Sequence, residues 1–142
     1  MADEQLKLLL EEAFHLHRSG YFDKAEQVYK SILDKDPNHA ECLNLLGGLY
    51  YQQRRYTQAL EYSKKAIEAD YKNPIYRNAA GMSLMKLKRA YEATEYFRAA
   101  LELKPDYETA CENLAKAYKI IRDKDKSESG RASCRERVCV GV

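Results

Sequence analysis

The 142-residue chain has no tryptophan, only three prolines and only six glycines. That is too little turn chemistry for an all-β protein built from many short strands. Long apolar runs are also missing: the longest near the N-terminus is Leu8, Leu9 and Leu10, preceded by Asp3 and Glu4. A secretory signal needs a basic start and a longer apolar stretch, and a membrane helix a longer one still. The chain is therefore expected to be soluble and cytoplasmic, without a membrane partner. An excess of either charge is absent as well. Lys plus Arg number 24 and Asp plus Glu 22, a formal net charge of +2, which excludes a polyanion binder driven by bulk charge.

Chemistry-bearing patterns are equally scarce. The four cysteines, Cys42, Cys111, Cys134 and Cys139, follow neither a disulfide framework nor a zinc-site spacing. Cys42 and Cys111 fall at apolar-type helix positions and are expected to be small core residues. His15 and His17, two residues apart, face different ways on a helix, and His39 lies in a turn. No nucleophile–His–acid set, metal motif or glycine-rich loop between a strand and a helix occurs, so the expectation is a non-enzyme with no cofactor and no metal.

What the chain does have is periodicity. Ala25, Ala59 and Ala93 recur every 34 residues, as do Ala13, Gly47, Gly81 and Ala115, and Leu16, Tyr50, Leu84 and Tyr118. Pro37 and Pro105 stand two periods apart, with Tyr71 between them in phase. A repeat of this length signals a stacked solenoid. Each period holds two amphipathic helices. The first helices are predicted over 6–18, 40–53, 74–87 and 108–122, and the second over 23–35, 57–69 and 91–103. Asp23 and Thr57 are expected to cap second helices, and Asn73 followed by Pro74 a first helix. Small residues at Gly47, Gly81, Ala59 and Ala93 let paired helices approach closely. Aromatics such as Tyr29, Tyr50, Phe97 and Tyr118 fill the remaining space.

Residues 6–122 thus resemble the tetratricopeptide-repeat family, whose signature is a large apolar residue, then Leu-Gly, Tyr, Ala, an aromatic and Pro. The first repeat reads Leu9, Glu12, Ala13, Leu16, Ala25, Tyr29 and Pro37. The second reads Leu43, Leu46, Gly47, Tyr50 and Ala59, with Ser63 where the aromatic belongs, and the third Arg77, Ala80, Gly81, Leu84, Ala93, Phe97 and Pro105. Cys111, Leu114, Ala115 and Tyr118 start a fourth first helix. The resemblance implies an all-α, right-handed superhelical solenoid of antiparallel helix pairs. Its expected parts are a lead at 1–5, repeats at 6–39, 40–73 and 74–107, a capping helix at 108–124 and a tail at 125–142. Glu12 suits an end that packs on no earlier repeat. Gly130–Val138 back-translates to a string resembling a sequencing adapter, so the tail is expected to be either an artefact of the gene sequence or a disordered segment.

The family implies protein–protein interaction, with a peptide or helix held in the concave groove lined by first helices. By phase, the groove candidates are Leu10, Phe14, His17, Asn44, Tyr51, Asn78, Met82, Met85 and Lys116. The family's clamp for acidic C-terminal peptides would use the positions of Leu10, Phe14, Leu45, Ile75 and Ala79, none of which carries a charge or an amide. A second surface is a basic ridge of Arg54, Arg55, Lys86, Lys88, Arg89 and Arg122, opposite an acidic edge that includes Asp34, Asp70 and Glu102. No aromatic platform accompanies the ridge, so nucleic acid is not an expected partner. The alternatives to groove binding are a self-assembling scaffold, possible as a homo-oligomer, and an accessory segment of a larger, truncated protein.

Overall fold

The computed structural model describes residues 2–129 and, among these, contains seven α-helices and no strand. They are α1 (Ala2–Arg18), α2 (Phe22–Lys35), α3 (Ala40–Gln52), α4 (Tyr56–Ala69), α5 (Pro74–Lys86), α6 (Ala90–Leu103) and α7 (Glu108–Ser129). Three antiparallel pairs, α1–α2, α3–α4 and α5–α6, stack in order, and α7 closes on α6. The result is an all-α superhelical solenoid.

Two expected boundaries move. The lead at 1–5 is already helical from Ala2, because Asp3 and Glu4 in the first turn complement the helix dipole. The capping helix does not stop at 124: α7 continues to Ser129, and no glycine or proline intervenes before Gly130. The remainder of the expected tail, 130–142, including Cys134 and Cys139, lies outside the described residues.

The turns inside the pairs repeat with the period. Gly20, Arg54 and Lys88 all take positive φ, at 89°, 63° and 64°. In each case the next residue donates its backbone N–H five residues back: Tyr21 to Leu16, Arg55 to Tyr50 and Arg89 to Leu84, at 2.8–2.9 Å. This is the Schellman closure of a first helix, which favours glycine at the left-handed position. The second helices then follow with Tyr21, Arg55 and Arg89 at the N-cap, none of which makes a side-chain cap bond. Asp23 and Thr57 are therefore not caps but sit one position inside the helix, because the tight turn itself sets the entry of the chain. Asn73 does cap α5, accepting from the Ile75 N–H at 3.0 Å ahead of Pro74. His39 caps α3 through Nδ1, which accepts from the Cys42 N–H.

The core runs in two main clusters. Leu10, Ala13, Tyr29, Ile32, Cys42, Leu46 and Tyr50 fill the first two repeats, and Leu84, Ala93, Phe97, Leu114 and Ala117 fill the third and α7. Leu43, Ala66 and Tyr76 join them. Burial pushes the Cys42 thiol up to about 12, so it is inert as a nucleophile. Cys111, by contrast, is exposed and not a core residue. It sits in phase with buried Leu43, but no helix follows α7 among the described residues to cover it. Glu12 at the other end is exposed for the corresponding reason.

Candidate functional site

Consecutive first helices lie side by side and form the inner surface of the array. Two polar ties cross it. His17 of α1 donates from Nε2 to Gln52 Oε1 of α3 at 2.9 Å and accepts at Nδ1 from the Tyr29 hydroxyl at 3.2 Å. Asn113 of α7 donates to Asn78 Oδ1 of α5 at 3.0 Å. Both ties span 35 residues, one period plus one. Among the described residues no hydrogen bond joins α3 to α5, and a cavity opens at that junction.

This cavity has a volume of about 300 Å³. Its walls come from α1 (His17), α3 (Asn44, Leu45, Gly47, Gly48, Tyr51, Gln52), α4 (Ser63) and α5 (Ile75, Asn78, Ala79, Met82, Ser83). None of these side chains carries a fixed charge. The mixture of apolar surface with a few convergent amides and hydroxyls is that of a ligand pocket of modest size.

The sequence candidates divide accordingly. His17, Asn44, Tyr51, Asn78 and Met82 share the cavity wall. Within that set, His17 and Asn78 are 8% and 5% exposed and committed to the ties just described. Asn78 also approaches Met82 Sδ at 3.6 Å. Asn44 is half-buried and retains its amide for a ligand. Tyr51 stands edge-on to Tyr56, which fixes its ring. Leu10 is a core residue instead, while Phe14 is 41% exposed beyond the cavity, with the Arg18 guanidinium over its ring. Lys116 is exposed on α7. Met85 lines a separate cavity of about 510 Å³ with Lys88, Arg89, Tyr91, Ile120 and Lys124. Ser63 and Ser83 were not among the candidates. Ser63 did leave a sequence signal, the break in the run of aromatics Tyr29 and Phe97.

The ridge residues occupy unlike settings. Arg54 and Lys88 are exposed in the turns, and Lys86 is exposed near the end of α5. Arg55 stacks over Tyr50, 4.5 Å from its centroid, with Nη1 3.7 Å from Glu26. Arg89 forms a two-bond pair with Glu92 at 2.7 Å. Arg122 is not a turn residue: it lies within α7 and is half-buried, and among the described residues no second helix follows α7. Glu26 of α2 draws together Lys30, Tyr50 and Arg55. Burial pushes its carboxyl up, but hydrogen bonds from Lys30 and Tyr50 and the charges of Lys30 and Arg55 outweigh this and hold it below the usual carboxylate range. Among the described residues no group of three or more His, Cys, Asp or Glu side chains is placed to hold a metal, and no helix is long and apolar enough to cross a membrane.

Family models of the tetratricopeptide repeat match residues 16–82 and 76–107. The chain is 31% identical over 83 residues to the type IV pilus assembly protein PilF of Pseudomonas aeruginosa, covering 56% of this chain and 32% of that one. It is 33% identical over 100 residues to a probable UDP-N-acetylglucosamine–peptide N-acetylglucosaminyltransferase, SPINDLY, of Hordeum vulgare, covering 70% of this chain and 11% of that one. Among solved structures, the first repeat domain of Spaghetti (RPAP3), bound to the HSP90 peptide SRMEEVD, superposes with a TM-score of 0.79 at 19% identity, covering 83% of this chain and 94% of that one. The chain spans about a third or less of the length of the curated relatives named.

Proposed function

The chain belongs to the tetratricopeptide-repeat family, whose arrays are in general protein–protein interaction modules, and from that premise we propose that it captures a partner peptide or helix in its concave groove. The observation that carries this reading is the cavity walled by three consecutive repeats, open on the inner face and free of fixed charge. A partner segment laid along α1, α3 and α5 meets the unengaged amide of Asn44, the fixed ring of Tyr51 and the adaptable thioether of Met82. The RPAP3 domain bound to an HSP90 peptide supports the mode of capture by its fold. It does not support the same ligand, since Leu10, Phe14, Leu45, Ile75 and Ala79 offer an acidic peptide neither charge nor amide. The reading gives the chain no catalytic role of its own. It leaves the activity of any longer protein to other segments.

The test is a peptide-display selection on the full chain, with the Tyr51→Ala/Met82→Ala double variant as counter-target. The expected result is an enriched motif that binds the wild type and is lost in the variant. Failure to enrich, or equal binding by a folded variant, refutes the groove. A second reading, self-assembly through the ends of the array, draws on Leu8 of α1 and Ile120 of α7, 65% and 49% exposed. Light scattering across a range of concentrations tests it, and a constant monomer mass rejects it.

A further inference from the structure

We infer that the cavity at the α3–α5 junction is a socket for a single aromatic side chain, a tyrosine, presented by the partner polypeptide. The inference rests on the groove reading and specifies what the groove selects.

The second helices carry, in phase, Tyr29, Ser63 and Phe97. Tyr29 and Phe97 are completely buried. Phe97 presses so closely on Gly81 that a Cβ there would stand 2.4–2.8 Å from the ring. Gly47 occupies the position of Gly81 one repeat earlier. The nearest atoms to a Cβ on Gly47 would be the Ala59 carbonyl oxygen at 3.4 Å, Tyr62 Cβ at 3.5 Å and Ser63 Oγ at 3.6 Å, none of them an aromatic ring atom. The ring that belongs beneath Gly47 is absent, and Gly47 and Ser63 line the cavity of about 300 Å³ found there. Gly48, beside them on the wall, has nothing within 4 Å of where its Cβ would be, so α3 leaves the way in open. A dry cavity of about 150 Å³ already admits benzene. The shape of the socket is therefore set by the fold: its neighbours in the array fill the same place with Tyr and Phe.

Two polar groups select the tyrosine. Ser63 and Ser83 are 2% and 1% exposed and both line the cavity. The Ser63 Oγ lies 3.6 Å from where a Gly47 Cβ would stand. A phenol, which both donates and accepts, can hydrogen-bond to hydroxyls in the wall, whereas a plain phenyl ring cannot. In the first repeat the Tyr29 hydroxyl finds a comparable partner in His17. With no fixed charge in the wall, an anionic or cationic side chain gains nothing to offset its desolvation.

The probes are p-cresol and toluene, the side-chain analogues of Tyr and Phe, titrated into the isotopically labelled full chain and followed by amide NMR shifts. The expected result is saturable shifts centred on Gly47, Gly48, Ser63 and Ser83, with p-cresol binding several-fold tighter than toluene. Ser63→Tyr, which supplies the missing ring, weakens p-cresol by about tenfold or more. Gly48→Leu, whose added Cβ meets nothing within 4 Å and whose side chain stands at the entrance, does the same should Ser63→Tyr not fold. Non-saturating shifts, or equal saturation in a folded blocking variant, overturn the socket. Peptides from the groove selection separate the two readings. Peptides that bind wild type and Ser63→Tyr equally refute the socket and leave the groove standing. Peptides whose affinity falls both in Ser63→Tyr and on replacing their own tyrosine by alanine support the socket.

Discussion

Replacing Gly47 and Gly81 separately by alanine sets one substitution in two places related by the repeat, and the structure gives the outcomes opposite signs. Each glycine lies inside a first helix, where alanine contributes about 1 kcal/mol of helix propensity. That term is common to both and cancels in the comparison. What differs is the space beneath. At Gly47 the new methyl meets atoms at 3.4–3.6 Å, ordinary van der Waals contact. At Gly81 it meets three atoms of the Phe97 ring at 2.4–2.8 Å, and that ring is buried with no exposed side to retreat to. Overpacking of this kind costs about 1–3 kcal/mol. Gly47→Ala is therefore expected to gain up to about 1 kcal/mol, and Gly81→Ala to fall below it by about 1–3 kcal/mol. Urea unfolding followed by far-ultraviolet circular dichroism reads both as shifts of midpoint at unchanged slope. Phe97→Leu made in the Gly81→Ala background is expected to be less harmful than in the wild type, since the methyl then has room. Equal shifts for the two glycine variants, or strict additivity with Phe97→Leu, would refute the claim that the aromatic ring dictates the glycine.

The left-handed turn residues carry a second prediction. Arg54→Gly and Lys88→Gly each relieve a positive φ that a side chain adopts at a penalty, and each is expected to raise stability by about 0.5–1 kcal/mol, whereas Gly20→Ala lowers it by a similar amount. A loss of stability in Lys88→Gly would show that the lysine side chain matters more than its backbone. A third concerns acid. Because the Glu26 carboxyl is held below its ordinary range in the fold, its contribution is fully present above the unfolded-state pKa of about 4.3 and is lost as pH falls through and below it. The melting temperature should therefore drop between about pH 5 and 3, and less steeply in Glu26→Gln. Parallel pH profiles for the two proteins would reject the role of Lys30, Tyr50 and Arg55 in holding that charge.

Much of the fold was legible because repetition multiplies a weak signal. One small residue at Ala13 means little, but Ala13, Gly47, Gly81 and Ala115 in register set the helix pairing, and the six helices after α1 start within a residue of where the pattern puts them. Capping was misread at Asp23 and Thr57 for a definite reason. A side chain suited to a cap was present, but the Schellman turns at Gly20, Arg54 and Lys88 fix the chain first, and only Gly20 advertises a left-handed residue by its identity. Cys111 and Arg122 were misplaced by extending the phase past the last complete pair. Leu43 is buried in mid-array while Cys111 at the same phase is exposed, and Arg54 and Lys88 are exposed in turns while Arg122 is half-buried within α7. On the inner face, phase names the residues that point inward, but it does not say which of them bond to one another. Asn44 and Asn78 are equivalent by spacing, and only Asn78 has an Asn113 to bind.

The α3–α5 junction follows from that same distinction. A solenoid of identical repeats would have identical seams, each closed by an aromatic ring below and a polar tie across. Here the first seam, between α1 and α3, has Tyr29, His17 and Gln52, and the last, between α5 and α7, has Phe97 under Gly81 and the Asn78–Asn113 tie. The middle seam lacks both, since Ser63 replaces the ring and no hydrogen bond joins α3 to α5 among the described residues. Two omissions at one seam leave space where the groove is central. Filling Ser63 with Tyr or Phe should bury most of a ring and stabilise the array by up to about 1.5–3 kcal/mol. If the variant is more stable and at the same time loses its ligand, stability has been held below its attainable value by the open site, as expected where a binding surface and a well-filled core compete for the same volume. If the variant is less stable, the space beneath Gly47 does not have the shape of the one that Phe97 fills, and the socket fails on packing alone.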